Sequence, residues 1–143
     1  MTTGTTLPEM IAHRGNATEF PENTLQSLAS AVELGVKHLE FDVQLTADKV
    51  PVLLHDADLE RVASREGNVH ELTWAQLAET PVGEVKRFGH RFAFTYPPSL
   101  SQVVDALQGP RAFDFGDDEG RVAELGRGRP HGCDVRGAVD EGL

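Results

Sequence analysis

An α/β fold built on a parallel sheet is what this sequence predicts, on three observations. Apolar residues recur at helical spacing over 25–32, they alternate strictly with polar ones over 36–45, and a short apolar run precedes each of two histidines, His13 and His55. A strand, a helix and a strand within about 35 residues is the βαβ pattern of a parallel sheet covered by helices.

Residues 1–9 are a polar, Thr-rich lead-in, expected to fray. Met10-Ile11-Ala12 reads as a short buried strand that delivers His13 and Arg14 at its carboxyl end, and Gly15 supplies the freedom to leave that strand sharply. Pro21-Glu22-Asn23-Thr24 is a helix entry with Asn23 or Thr24 as N-cap. Leu25, Leu28, Ala29 and Val32 then follow at i, i+3, i+4 and i+7, and Gly35 is placed to terminate the helix. Over 36–45, Val36, His38, Glu40, Asp42 and Gln44 share one face, and Leu39, Phe41, Val43 and Leu45 share the other. Thr46-Ala47-Asp48-Lys49 is a turn, and Val50–Leu54 is an extended run ending at His55-Asp56.

Thr73 and Gln76 form a capping box for a short helix, and Ser99 and Gln102 repeat the device before Leu100, Val103, Val104 and Leu107, with Gly109 as the stop. From about residue 109 the character changes. Eight of the fourteen glycines fall in 109–143, and beyond the strand-like run Arg111–Phe115 no helical or strand period is legible. Two explanations stay open: a flexible tail, or a departure of the reading frame near Phe113 that converts a GC-rich gene into this Gly, Arg, Asp and Ala mixture.

Composition narrows the function. A chain of 143 residues, 39% apolar and 25% charged, suits one globular domain with a real core. A formal charge of −10 argues against nucleic acid or an anionic membrane as partner, both of which need a basic footprint. The lone Cys133 excludes an internal disulfide and a multi-cysteine zinc site. There is no basic, apolar leader in residues 1–9 and no apolar run near the roughly 20 residues a transmembrane segment needs, so a cytoplasmic location is the default expectation.

Four signatures carry the chemistry: His13-Arg14-Gly15, Pro21-Glu22-Asn23-Thr24, Glu40-Phe41-Asp42 and His55-Asp56. Glu40 and Asp42, at i and i+2 on a strand, share a face about 6.6 Å apart. Two such carboxylates repel unless a cation lies between them, and oxygen ligands suit Mg²⁺ or Ca²⁺. The bland alternative is a solvated sheet face. His13 and His55 together could supply a general base and a general acid, because imidazole titrates near neutral pH; singly, each reads as a surface residue. Arg14 presents a planar fork that matches phosphate oxygens, or else a salt bridge to Glu22. Asp56 reads as a loop or capping residue, and Glu22 and Asn23 as helix-entry residues able to support the site from behind. His38, His70, His90 and His131 fall in no constellation.

The ordered set IAHRG, PENT, LEFDV and PVLLHD, with the later GNVHELTWAQL and YPPSLSQVVDAL, resembles the amino-terminal part of the glycerophosphodiester phosphodiesterase family over residues 10–113. The resemblance implies a partial TIM-type (β/α) barrel of about the first three β/α units, followed by an irregular tail over 114–143. It implies hydrolysis of glycerophosphodiesters to glycerol 3-phosphate and an alcohol, with His13 and His55 as the acid/base pair and Arg14 on the phosphate. Glu40 and Asp42 would then ligate a divalent cation, Mg²⁺ or Ca²⁺. Where the family places a glutamate and a lysine on the third strand, this chain reads Ala112-Phe113-Asp114-Phe115, without lysine; Asp114 is the candidate substitute. A complete (β/α)₈ barrel takes about 250 residues. The expectation is therefore an amino-terminal piece, truncated or frameshifted, with little or no turnover by itself. Two alternatives stand beside it. One is a non-catalytic half-barrel that acts by forming a homo-oligomer or by pairing with a complementing second half. The other is a related phospholipase-type phosphodiesterase.

Overall fold

The computed structural model describes residue 4 and residues 6–107, 112–116 and 122–124. Strand β1 (Ile11–His13) runs parallel to β2 (His38–Leu45), with Ile11, Ala12 and His13 opposite His38, Leu39 and Glu40. Helix α1 (Leu25–Glu33) makes the crossover between them. On the other side of β2 lies β4 (Ala112–Gly116), also parallel, with Glu40 opposite Asp114 and Asp42 opposite Gly116. The order β1-β2-β4 is thus parallel, as the βαβ pattern predicts.

Two strands depart from that pattern. β3 (Pro51–Leu53) is antiparallel to the far end of β2, because a four-residue turn with Lys49 at φ +63° can only fold the chain back on itself. β5 (Val122–Glu124) pairs antiparallel with β4, inside the stretch where no period was expected; three residues are too few to show one. Cys133, His131 and Gly109 lie outside the described residues.

Helix α1 begins at Thr24, whose hydroxyl accepts from the Ser27 N–H while the Ser27 hydroxyl accepts from the Thr24 N–H. Its buried stripe is Ser27, Leu28 and Ala31, flanked by half-buried Leu25 and Val32; Ala29 is exposed instead, one position off the contact line. Gly35 follows the helix at φ +85°. Helix α5 (Leu100–Ala106) carries the expected Ser99–Gln102 capping box and stops with Leu107 as C-cap, short of Gly109. Both helices lie on the apolar face of β2. Leu28, Ala31, Leu39, Phe41, Leu53, Leu100, Val103 and Leu107 form one core, against which Val36 also packs rather than joining the polar face. Each of these large side chains removed from water contributes about 1.5–3 kcal/mol.

The segment between β3 and α5 builds a second core from Val52, Leu54, Leu59, Val62, Val69, Leu77 and Val82. Its pieces are short: α2 (Glu60–Ala63), a 3₁₀ turn at Val69–Glu71, α3 (Trp74–Ala78) with the expected Thr73–Gln76 box, and α4 (Val85–Phe88). The expected burial of the first strand is not met. Met10 is 73% and Ile11 55% exposed, because among the described residues β1 has a neighbour on one side only. In the lead-in, Glu9 Oε2 lies 2.9 Å from His38 Nε2.

Candidate active site

Parallel register sets the last residue of β1 opposite the third residue of β2, and this places His13 beside Glu40, with His13 Nε2 3.7 Å from Glu40 Oε2. The next residue turns away from the sheet: Arg14 has φ +58° and Gly15 φ +80°. The Arg14 N–H is shared between the Glu40 backbone oxygen at 2.8 Å and Glu40 Oε2 at 3.0 Å. Gly15 is required here for space as well as for its φ. A Cβ on it would lie 2.6 Å from the Ser27 carbonyl carbon and 2.8 Å from the Leu28 nitrogen. The loop that leaves β1 thus lies directly against the first turn of α1.

Arg14 reaches back over the sheet. Its Nη1 donates to Glu22 Oε2 at 2.6 Å, and its Nε lies 3.2 Å from Asp42 Oδ2 without being directed at it, a buried donor left without a hydrogen bond. Asn23 fixes Asp42 reciprocally: Asn23 Nδ2 donates to Asp42 Oδ2 at 3.0 Å, and the Asp42 N–H donates to Asn23 Oδ1 at 3.2 Å. The helix-entry residues Glu22 and Asn23 therefore do more than start α1. They hold the site's arginine and one of its carboxylates.

His55 leaves β3 where Gln44 Nε2 donates to the Leu54 and His55 carbonyls at 3.1 and 2.7 Å. Asp56 is neither a plain loop residue nor a cap. Its Oδ1 lies 2.7 Å from His55 Nδ1, and its Oδ2 accepts from Arg61 Nε at 2.7 Å. Arg61 also donates through Nη1 to Glu22 Oε1. One polar chain accordingly runs His55–Asp56–Arg61–Glu22–Arg14, and from Arg14 on to Glu40, Asp42 and, through Glu40, His13. All five residues singled out in the sequence belong to it.

Arg61, Glu84 and Arg87 escaped the sequence reading. Glu84, 2% exposed, accepts from the Glu22 N–H at 2.8 Å and from Arg87 Nη1 at 2.9 Å. No spacing signals it, since 62 residues separate Glu84 from the backbone that it holds. Arg14, Asn23 and Glu84 all have positive φ (58°, 53° and 48°), a conformation costing roughly 1–2 kcal/mol for residues with a Cβ. Three such residues in one network are strain held by the surrounding packing, as at many functional sites.

Electrostatics divide the carboxylates. Burial raises the pKa of Glu40, and the neighbouring Asp42 charge raises it further, against the Arg14 backbone donor. Burial pushes Glu22 the same way, but hydrogen bonds from Arg61 and Arg14 outweigh it and hold Glu22 below its ordinary value. Asp56 is also held low, first by its hydrogen bond from Arg61.

Among the described residues, no three or more His, Cys, Asp or Glu side chains are grouped to hold a metal ion. Glu40 and Asp42 fit a hard divalent cation in donor type and in a mutual repulsion that Arg14 and His13 only partly offset, but not in number. Asp114 occupies the register position beside Glu40 on β4. A groove of about 620 Å³ runs from His13, Arg14, Glu22 and Arg61 along β1 to Leu34 and Val36.

The sequence model of the Glycerophosphoryl diester phosphodiesterase family matches residues 13–115. The chain belongs to this family. It is 37% identical over 98 residues to a glycerophosphodiester phosphodiesterase of Caldanaerobacter subterraneus, covering 68% of this chain and 40% of that protein. It is 34% identical over 94 residues to glycerophosphodiester phosphodiesterase 1 of Bos taurus, covering 66% and 28%. Among solved structures, an Oleispira antarctica phosphodiesterase in complex with the product sn-glycerol-3-phosphate superposes with a TM-score of 0.69 at 33% identity, over 76% of this chain and 44% of that one. The glycerophosphodiester phosphodiesterase of Agrobacterium tumefaciens gives 0.70 at 27%, over 76% and 46%. The chain spans less than half the length of each of these relatives. No described helix is long and apolar enough to cross a membrane.

Proposed function

We propose that this chain carries the amino-terminal part of a site for metal-dependent hydrolysis of glycerophosphodiesters to glycerol 3-phosphate and an alcohol. The parallel strands β1, β2 and β4 are read as the first three of a (β/α) barrel, within a unit spanning about residues 10–113. The observation that supports this best is the single polar chain joining His13, Arg14, Glu40, Asp42 and His55 at one end of the sheet, within a chain of this family.

In this reading Arg14 binds the phosphate. Its guanidinium is held in place by Glu22, and its remaining donors match a phosphate's acceptors. His13, with its side chain 71% exposed, and His55, 43% exposed, exchange protons with the attacking water and the leaving alkoxide. Glu40 and Asp42 would hold Mg²⁺ or Ca²⁺, which when bound neutralises charge developing on the phosphoryl oxygens. Asn23 anchors Asp42 by its carboxylate and by its backbone N–H, one hydrogen bond to each.

Calorimetric titration with sn-glycerol 3-phosphate, in the presence of Mg²⁺ or Ca²⁺, tests the binding half of the reading. Saturable binding that is lost in Arg14→Gln is expected; identical titrations of the two proteins overturn it. Turnover of glycerophosphocholine by the chain alone is expected to be low, with only two carboxylate ligands among the described residues. Robust, His13-dependent hydrolysis would refute that expectation.

One observation favours a second reading. The exposed Met10 and Ile11 of a strand that has a neighbour on one side only among the described residues, opening on the apolar wall of the groove, suit a half-barrel that completes itself against a second copy or a complementing half. Light scattering distinguishes the two: a defined dimer supports pairing of copies, and a stable monomer removes that form of it.

A further inference from the structure

We propose that Arg61 is a positioning residue of this site, whose one guanidinium sets both the tautomer of His55 and the placement of Arg14. Its catalytic meaning rests on the reading above, while its geometry stands independently. Arg61 Nε donates to Asp56 Oδ2 at 2.7 Å and Nη1 donates to Glu22 Oε1. Each carboxylate spends its other oxygen on a site residue: Asp56 Oδ1 on His55 Nδ1 at 2.7 Å, and Glu22 Oε2 on Arg14 Nη1 at 2.6 Å. Two arms thus leave one planar group and end on the two residues expected to handle the proton and the phosphate.

The chemistry of the arms determines what they transmit. An ionised Asp56 can only accept, so the hydrogen between it and His55 belongs to Nδ1, and the neutral imidazole keeps its lone pair on Nε2. Glu22 is buried, with a 4% exposed side chain, and its backbone N–H is held by Glu84. It cannot turn away from Arg61 without abandoning Arg14 as well. Arg61 itself stands on a fixed platform. It is the second residue of α2, where Asp58 Oδ1 accepts from the Glu60 N–H at 3.1 Å and the next residue, Val62, lies in the second core. A lysine here would bring the charge without the fork, and one ammonium does not reproduce two divergent, coplanar donors.

The test uses the full chain labelled with ¹⁵N-histidine, read by long-range ¹H–¹⁵N spectra at a pH where imidazole is neutral, with His55 assigned by its loss in His55→Gln. The wild-type protein is expected to show His55 as a single Nδ1–H tautomer. Arg61→Gln is expected to show a mixture of tautomers, with Arg61→Lys restoring it only in part. A single, unchanged Nδ1–H tautomer in Arg61→Gln overturns the proposal, as does full restoration by lysine. In parallel, sn-glycerol 3-phosphate should bind Arg61→Gln about tenfold more weakly, the loss of one charge-assisted constraint. If the wild-type protein binds no glycerol 3-phosphate, the functional reading fails and the tautomer still decides the role of Arg61. Should Arg61→Gln not fold, Asp56→Ala removes the carboxylate between Arg61 and His55 and leaves the Glu22 arm in place: mixed tautomers support the relay, and an unchanged His55 refutes it.

Discussion

Replacing Gly15 by alanine asks how tightly the site is built onto helix α1. Two costs add. The residue sits at φ +80°, where a Cβ costs roughly 1–2 kcal/mol. That Cβ would also meet the Ser27 carbonyl carbon at 2.6 Å, where ordinary contact begins at 3.4 Å, so the helix start must retreat by about 0.8 Å. Ser27 Oγ is nearer still at 2.5 Å, but the Ser27 carbonyl carbon and the Leu28 nitrogen are backbone that cannot rotate away, and overpacking of that kind costs roughly 1–3 kcal/mol. The expected destabilisation is therefore about 2–5 kcal/mol, a large share of the 5–15 kcal/mol typical of a domain. Gly35→Ala is the matched control. Its φ of +85° imposes the same conformational cost, but nothing lies within 4 Å of the added methyl. Urea denaturation of both variants, analysed by linear extrapolation, separates the terms. Gly15→Ala must lose more than Gly35→Ala by at least the overpacking cost. Equal losses would show that the β1 loop does not press on the α1 backbone, and the placement of Arg14 argued above would fall with it.

Other perturbations give equally definite expectations. Leu28→Ala, at a fully buried position between α1 and β2, should cost about 2–5 kcal/mol in the same urea assay, while Ala29→Ser on the exposed side should stay within about 0.5 kcal/mol. Glu22 and Asp56 have folded pKa values below their ordinary 4.5 and 3.8, so their stabilisation is present above those values and is lost as pH falls through the lower folded ones. The stability gap between wild type and Arg61→Gln should accordingly shrink between pH 6 and pH 3; a gap that widens on acidification contradicts the ionised network. Millimolar Mg²⁺ or Ca²⁺ should raise the melting temperature of the wild-type protein but not that of Asp42→Asn, as binding to the native state alone requires. An equal rise in both would move the cation away from Asp42.

The local features were legible because each depends on neighbours in sequence. Thr73 and Ser99 cap helices through a hydroxyl and a residue three positions on, and both boxes form as read; Thr24 caps α1 as one of the two residues proposed for it, and its box with Ser27 came from the structure. The alternation over 38–45 sorts Leu39 and Phe41 from Glu40 and Asp42 for the same reason: the pleat has a period of two. The expectations that failed depend on what lies across space. Whether Ile11 is buried is decided by a strand beside β1, not by its own apolarity. Whether β3 returns parallel or antiparallel is decided by the tightness of a turn.

The site divides along the same line. From the sequence came the candidates His13, Arg14, Glu40, Asp42 and His55, because they stand at strand ends within short ordered motifs, and the family resemblance followed from the order of those motifs. Only the tertiary structure decided how these groups are held. Arg61 lies 39 residues from Glu22, and Glu84 lies 62 residues from the backbone that it secures, so no local period relates them. A buried charge must find a partner wherever the fold brings one within reach, and that pairing is a property of three dimensions, not of the order of residues along the chain.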